Sequence, residues 1–568
     1  MADLKEKAPT ADAPQKRNFT ISTIGLFLGP AVFLSVLFFV DLDPGNPLVT
    51  RMAAVVLLMA IWWMTEAIPL PATALLPIVL FPLLGIMRAG EVPAGSQLSI
   101  DPAASSIPPS SVDIVFPNVA AQYMDWIILL FMGGFIIALA VEKWNLHKRI
   151  ALNILKVIGG QPHRLVLGFM IATGFLSMWL SNTATALMML PMGMSLVLLY
   201  EELNAGIEAK GGTVDARASN FSLNLLLGIA YSASIGGFAT LIGTPPNGVL
   251  VTQMGQLFPE APEITFSTWF LFALPLSCVF MLAAWLLLTR FVFPLPPTTP
   301  FSGRDFINGE IAKLGPMGNE EKKVALVFGS AAFLWITRKE RLFGADVDIF
   351  GWSHYLDRLL TAVGSPEVGY MIDDSTVSIT MALTLFLIPA SKAVGGRLLD
   401  WEDMKKLPWG ILLIFGGGLA IAKGFGTSGL SDYIAGQLQA LLGDANPLVI
   451  VISTVGFITG LTEVSSNTAT ISLAVPIMAS LAQAIEVHPL LLLIPTTLAA
   501  SCAFMLPVST PPNAIVFGSG RVPIRKMVIA GLWLDMLSVV LLTAFVYTLG
   551  HFTFGVLGEF PAWAIPVR

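Results

Sequence analysis

The sequence predicts an all-α polytopic membrane protein with about 11 transmembrane helices plus two re-entrant hairpins in an inverted-topology repeat. Three observations carry that prediction. Of the 568 residues, 55% are hydrophobic and 12% charged, with a mean hydropathy of +0.77, which is more apolar material than a soluble core uses. Apolar runs long enough to cross a hydrocarbon core recur from Phe19 to His551. The pentapeptide Ser-Asn-Thr-Ala-Thr occurs twice, at 181–185 and 466–470, each time in the middle of such a run.

Residues 1–18 are polar and carry Lys5, Lys7, Lys16 and Arg17 ahead of a long apolar run. This reads as a retained first span with a cytoplasmic N-terminus, because a cleaved leader has a shorter apolar core and a small-residue cleavage site. Spans follow at 19–41, 50–66, 69–88 and 122–142. The Pro- and Ser-rich segment 89–121 lacks Lys and Arg and is expected outside. Between 142 and 164, Lys143, Lys148, Arg149, Lys156 and Arg164 alternate with Trp144, Ile150, Ile154, Leu155 and Ile158, predicting an amphipathic helix along the cytoplasmic interface.

Residues 165–200 are apolar but broken by the first Ser-Asn-Thr. Each half is short for a crossing, so a re-entrant hairpin is expected; non-helical backbone at membrane depth is tolerated only where protein buries it or it lines a cavity. A polar loop at 201–218 leads to a span at 220–256, interrupted by Ser232, Ser234, Gly236-Gly237 and Gly243-Thr-Pro-Pro-Asn247. Another span lies at 265–291, and a charged, proline-containing stretch at 293–323 joins the two halves. Spans at 323–338, 373–391 and 408–428 come next. Leu430, Ile434, Leu438 and Leu441 then mark a second amphipathic helix. A second split run surrounds Ser466, a second broken span at 490–519 contains Ser509-Thr-Pro-Pro-Asn513, and a last span covers 527–550.

The repeat extends beyond the pentapeptide. The segment Trp126-Ile-Ile-Leu-Leu-Phe-Met-Gly133-Gly134 resembles Trp409-Gly-Ile-Leu-Leu-Ile-Phe-Gly416-Gly417 at nearly the offset that separates the Ser-Asn-Thr copies, so a whole unit is duplicated. The loop before Trp126 has no Lys or Arg, whereas Lys392, Arg397, Lys405 and Lys406 precede Trp409; after the repeats the bias reverses. Cytoplasmic loops concentrate basic residues, so equivalent helices run in opposite directions. The count predicts an inside N-terminus, an outside C-terminus and one hairpin entering from each face. Arg338, Lys339 and Arg341 then fall outside, an exception ascribed to neighbouring Glu340.

Inverted repeats with helices broken near the midplane are the recurrent architecture of secondary transporters. A break exposes N–H groups that favour an anion and carbonyls that favour a cation. Asn and Thr can donate to carboxylate oxygens, while Ser, Asn and carbonyl oxygens suit Na+. No Lys or Arg lies at 165–209 or 424–520, so co-bound cations are expected to supply the countercharge. Glu463, beside the second motif where the first has Met178, reads either as a proton-sensing or cation-coupling group or as a carboxylate at the outer mouth. No His-Glu-x-x-His or Gly-x-Ser-x-Gly arrangement points to an enzyme.

The paired Ser-Asn-Thr motifs, the downstream (Gly/Ser)-Thr-Pro-Pro-Asn segments and Thr65-Glu66-Ala-Ile-Pro69 resemble the divalent anion:sodium symporter (DASS) family, of the bacterial sodium/dicarboxylate symporter type, from about residue 50 to 548. The resemblance implies a substrate site at Asn182, Thr183, Thr244, Asn467, Thr468, Thr510 and Pro511. It implies one Na+ at Ser177, Ser181, Asn182 and Gly243, and a second at Thr462, Ser466, Asn467 and Ser509. The implied activity is sodium-coupled symport of a C4-dicarboxylate such as succinate, malate or fumarate across the cytoplasmic membrane; dicarboxylate exchange and citrate or sulfate transport are the alternatives within the family.

A homodimer is also implied, each protomer having a scaffold and a transport domain that moves as an elevator. The corresponding division is a cytoplasmic tail at 1–18, scaffold helices at 19–142, an interfacial arm at 143–164 and a first transport repeat at 165–291. A linker at 292–322, scaffold helices at 323–428, a second arm at 429–445, a second transport repeat at 446–550 and a tail at 551–568 complete it.

Overall fold

A computed structural model describes residues 19–87, 118–211, 215, 217–296, 303–338, 351–362, 372–391, 395–442 and 446–565. The N-terminal tail, most of the Pro- and Ser-rich loop, and Lys339, Glu340, Arg341 and Lys392 lie outside the described residues. The described chain is almost entirely helix and turn, with an isolated β-bridge between Pro389 and Arg397.

The first half comprises α1 (Phe19–Phe39), α2 (Pro47–Thr65), α3 (Leu70–Thr73), α4 (Leu76–Leu83), α5 (Trp126–Lys143), α6 (Leu146–Ile158), α7 (Pro162–Ser177), α8 (Asn182–Ala209), α9 (Ala218–Gly237), α10 (Pro245–Leu257) and α11 (Phe266–Leu286). Next come α12 (Gly303–Leu314), α13 (Asn319–Ile336), α14 (Trp352–Ala362), α15 (Asp374–Leu387) and α16 (Trp409–Ser428). The remainder is α17 (Leu430–Leu442), α18 (Pro447–Thr462), α19 (Asn467–Ala484), α20 (Pro489–Ala499), α21 (Pro511–Gly518), α22 (Ile524–Tyr547) and α23 (Leu549–Phe554).

Seven helical segments among the described residues are long and apolar enough to cross a membrane: Ile21–Phe39, Pro47–Thr65, Ala120–Lys143, Asn182–Ala209, Phe266–Val292, Trp409–Ser428 and Ile524–Tyr547. Several expected spans are instead interrupted or short. The third, at 69–88, is two pieces, α3 and α4, because Pro77 in the first turn of α4 has no N–H to continue a helix from α3. The eighth is the 14-residue α15, and the two broken spans divide into α9 with α10 and α20 with α21. The polar stretch 201–218 is not a loop throughout: α8 continues to Ala209 and ends before Gly211, which adopts φ +76°. The linker between halves likewise contains α12.

Local chemistry explains where the chain turns into and out of α6. Asp125 caps α5 by accepting from the Ile127 amide. At the other end of α5 the chain turns through Asn145 at φ 57° into α6, whose Leu146, Ala151, Leu152 and Leu155 are buried. Gly159, at φ 106°, then redirects the chain into α7, which opens with Pro162. Arg149 on α6 makes a two-pronged ion pair with Glu321 on α13, Nε to Oε1 at 2.5 Å and Nη2 to Oε2 at 3.1 Å. Lys143 at the end of α5 reaches Asp403 at 2.8 Å.

Arg338 is neutralised, but by residues distant in sequence. Its Nε lies 2.6 Å from Asp374 and its Nη2 3.0 Å from Glu263, and Nη1 donates to the Ile372 carbonyl at 2.9 Å. Asp374 is 1% exposed and also accepts from the Phe266 amide. Desolvated charges need such partners, and this buried network supplies them; the expected contribution of Glu340 lies outside the described residues.

The two halves are interleaved. Helix α7 lies against α9 so closely that a Cβ on Gly236 would stand 2.2 Å from the Gly174 carbonyl oxygen. The short helix α21 of the second half packs on α8 and α9, while α10 of the first half packs on α16, α19 and α20. Gln253 on α10 fastens this crossing by donating to the carbonyls of Gly418 and Ser472, both at 2.9 Å.

Candidate functional site

All four motif copies sit at helix N-termini. Ser181 is the N-cap of α8 and accepts from the Ala184 amide at 3.2 Å; Ser466 is the N-cap of α19. Thr244 and Thr510 are the N-caps of α10 and α21. First-turn amides have no intrahelical acceptor, and the aligned peptide dipoles leave partial positive charge there.

The prolines make the four ends unequal. Pro245-Pro246 and Pro511-Pro512 occupy the first two positions of α10 and α21 and carry no N–H. Those ends offer the field of the dipole and the threonine hydroxyls, whereas the amides of Asn182, Thr183, Asn467 and Thr468 remain as donors at the other two. These four residues are half-buried, in contrast to Thr244 and Thr510, which are 2% and 4% exposed. Pro511 is exposed and can offer only its ring.

Behind the tips lie two matching oxygen clusters. In the first, the Ser177 hydroxyl stands 2.6 Å from both Asn182 Oδ1 and the Ala233 carbonyl. Its one proton cannot serve two acceptors. Asn182 Oδ1 itself faces the Ala233 and Gly243 carbonyls at 3.0 and 3.3 Å, and turning the amide over would let its nitrogen donate to both and to Ser177. In the second cluster, the Thr462 hydroxyl stands 2.8 Å from both Asn467 Oδ1 and the Ala500 carbonyl. Ser177 and Thr462 are both fully buried. A small cation at the centre of the first cluster removes its acceptor–acceptor conflict; without one, the Asn182 amide does so by rotating.

The helix breaks are held open by asparagines whose contribution as loop fasteners sequence reasoning missed. Asn247 Nδ2 donates to the carbonyls of Gly237, Phe238 and Thr240 at 3.2, 3.3 and 2.8 Å. Asn513 Nδ2 donates to the Ala503 and Leu506 carbonyls and the Ser509 hydroxyl at 3.0, 3.1 and 3.2 Å. The available signal was that both close a Pro-Pro-Asn repeat. Ala233 and Ala500 contribute backbone oxygens, for which a side-chain pattern carries no signal.

The structure brings together Ser177, Asn182 and Gly243, and separately Thr462 and Asn467. The Ser181 side chain caps α8, Ser466 holds the cap position of α19 without a side-chain bond to it, and the Ser509 hydroxyl donates to Leu506 O at 2.6 Å within its own loop. Glu463 is 2% exposed and accepts from the amides of Met505 and Leu506 at 2.8 and 3.0 Å. It therefore caps the second break and is not an exposed group at the mouth.

The chain is similar to known proteins along nearly its whole length. The family described as sodium:sulfate symporter transmembrane region matches residues 22–555. The chain is 41% identical over 527 residues to a protein of Staphylococcus saprophyticus named sodium-dependent dicarboxylate transporter SdcS, covering 93% of this chain and 91% of that one. A protein of the same name from Staphylococcus aureus strain MRSA252 is 39% identical over 544 residues, covering 95% and 94%. Among solved structures, the Alcanivorax borkumensis YdaH transporter aligns with TM-score 0.50 at 13% identity, over 76% of this chain and 87% of that one. Neisseria gonorrhoeae MtrF aligns with TM-score 0.50 at 13% identity, over 88% and 97%. These two likenesses concern the fold alone. With matching oxygen clusters behind its repeated motifs and a family match spanning nearly its whole length, the chain belongs to the sodium:sulfate symporter, or divalent anion:sodium symporter, family.

Proposed function

We propose that this protein is a sodium-coupled symporter of a C4-dicarboxylate across the cytoplasmic membrane. The observation that carries the proposal is the duplicated cluster: Ser177, Asn182, Ala233 and Gly243 on one side, Thr462, Asn467 and Ala500 on the other, each directly behind a Ser-Asn-Thr N-terminus. Each cluster takes one Na+, with Ser181, Ser466 and Ser509 adjoining. The dianion lies across the tips, its carboxylates held by Asn182 and Thr183 at one end and by Asn467 and Thr468 at the other. Thr244, Thr510 and Pro511 border the site.

Asn182 and Asn467 couple the two ligands. A cation turns the side-chain oxygen inward, which directs the amide N–H groups away from the cluster and toward the anion. Binding either ligand then favours the other by the same free energy. The relatives named sodium-dependent dicarboxylate transporter support this choice of substrate and ion.

Orientation follows from charge. The Arg521–Glu201 ion pair and the Asn220 to Pro294 hydrogen bond gather loops of both halves on one face, together with Lys526, which lies over Phe293. We assign that basic face to the cytoplasm, with the N-terminus inside and the C-terminus outside. The two Ser-Asn-Thr turns are then re-entrant tips from opposite faces. The transport repeats move as an elevator past scaffold helices within a homodimer, with α6 and α17 as the arms.

Uptake of labelled succinate into proteoliposomes with and without an inward Na+ gradient tests the reading, and concentrative uptake indifferent to Na+ would refute it. Asn182→Ala and Asn467→Ala should each abolish uptake in folded protein. The family description names sulfate, so competition by excess sulfate against succinate distinguishes that second reading.

A further inference from the structure

The repeat pairs most positions of the site, yet one buried feature exists in the second half alone. Where the first unit has Met178, the second has Glu463, and the Glu463 carboxylate lies directly against that of Asp535 on α22. Asp535 is 6% exposed, and its oxygens face the Glu463 carboxyl and the Phe504 amide without a well-formed hydrogen bond to either. Both Glu463 oxygens are oriented by the Met505 and Leu506 amides of the second break.

No Lys or Arg occurs from 424 to 520, and Arg525 and Lys526 lie roughly 14 Å back along α22. The other ionisable groups facing the pair are the Tyr231 hydroxyl on α9 and the Cys502 thiol of the break, both fully buried. Tyr231 donates to the Met527 carbonyl at 3.3 Å, so neither group brings positive charge. Two touching carboxylates withdrawn from water need either a cation or a shared proton between them.

We infer that Asp535 and Glu463 form a third alkali-cation site, occupied by Na+ together with the two sites at the hairpin tips. The inference rests on the sodium-coupled reading above and extends it. Two cations balance a dianion and leave the loaded carrier neutral; a third gives the cycle net positive charge, so membrane potential drives uptake. An inverted repeat generates sites in pairs, and an odd one must come from a position where the halves differ, as they do at Met178 and Glu463.

The site also has a route to the substrate. Glu463 follows Thr462 of the second cluster and holds the amides of the loop leading to Ser509 and Thr510, so a cation at Asp535 stiffens the loop that borders the anion.

The test uses the full chain in proteoliposomes, measuring radiolabelled Na+ and succinate entry together with the dependence of uptake on an imposed, valinomycin-set potential. In the wild type, an inside-negative potential accelerates uptake. Asp535→Asn is expected to lower the Na+:succinate ratio by one and to abolish the response to potential, with succinate half-saturation changed less than about threefold. Glu463→Gln is the second variant, in case Asp535→Asn fails to elute as a folded species, and should show the same loss. Folded variants that keep the wild-type ratio and voltage response overturn this site alone. A wild type in which a proton gradient replaces the third Na+ also overturns it. Wild-type uptake indifferent to Na+ overturns the transport reading and this site with it.

Discussion

Asn513→Asp changes one atom of a buried side chain and reverses its hydrogen-bonding role. Asn513 Nδ2 faces the carbonyls of Ala503 and Leu506 and the hydroxyl of Ser509 within 3.2 Å, and the residue is fully buried. Its two protons satisfy two of those acceptors at a time. An aspartate supplies none, leaving two buried carbonyls unpaired at about 1–3 kcal/mol each and adding a carboxylate in a desolvated loop. After relaxation of the loop a loss of about 3–5 kcal/mol is expected, a value in the range seen when buried polar networks are broken. Asn446 provides the control. It is exposed and its side chain accepts from the Leu448 amide at 2.9 Å at the start of α18, so Asn446→Asp keeps the acceptor and favours the helix dipole, with an effect within ~0.5 kcal/mol. Thermal unfolding in detergent, followed by the fraction eluting as folded protein, should show a drop of several degrees for Asn513→Asp (~1 °C or more per kcal/mol) and none for Asn446→Asp. Equal melting of the two variants would refute the assignment of Asn513 as the fastener of the second break.

Other outcomes follow from the same structure. Gly236→Ala drives a methyl into the Gly174 backbone, which cannot swing aside as a side chain can, and should cost ~3 kcal/mol in the same melting assay. Gly206→Ala, on the exposed end of α8 with nothing within 4 Å, should be neutral or stabilising by up to about 1 kcal/mol. Arg338→Met strands the 1% exposed Asp374 and should cost about 3–5 kcal/mol; adding Asp374→Asn should recover part of this in a double-mutant cycle. His488, outside the spans, is buried enough that its pKa is lowered to about 4, and it accepts from the Leu490 amide while packing against Trp563. The folded state therefore favours the neutral ring: this contribution to stability is complete above pH 6.5 and is lost as pH falls toward 4. Trp563 fluorescence or hydrogen exchange at 487–491 should register the loosening, and His488→Asn, which keeps a capping oxygen, should remove its pH dependence.

Much of the candidate site was legible because apolar surroundings make polar residues conspicuous. Ser181-Asn182-Thr183 and Ser466-Asn467-Thr468 could be found, and paired with Thr244 and Thr510, by repetition alone. The clusters could not. Ala233 and Ala500 contribute peptide oxygens, and any residue type has one. Span boundaries failed at 69–88 and 201–218 for a related reason: hydropathy registers what lipid tolerates, while helix continuity depends on where a proline withholds an N–H or a glycine adopts positive φ.

By itself the sequence determined the membrane-spanning class, the duplication of the unit and the positions of the helix breaks, since each is written in residue type and local spacing. Tertiary structure decided which atoms face one another: the oxygens that converge behind each tip, the Asp374 and Glu263 partners of Arg338, and the Asp535 carboxylate set against Glu463. These pairings join residues remote in the chain, and a local pattern cannot encode them because they depend on how α9, α20 and α22 cross in space.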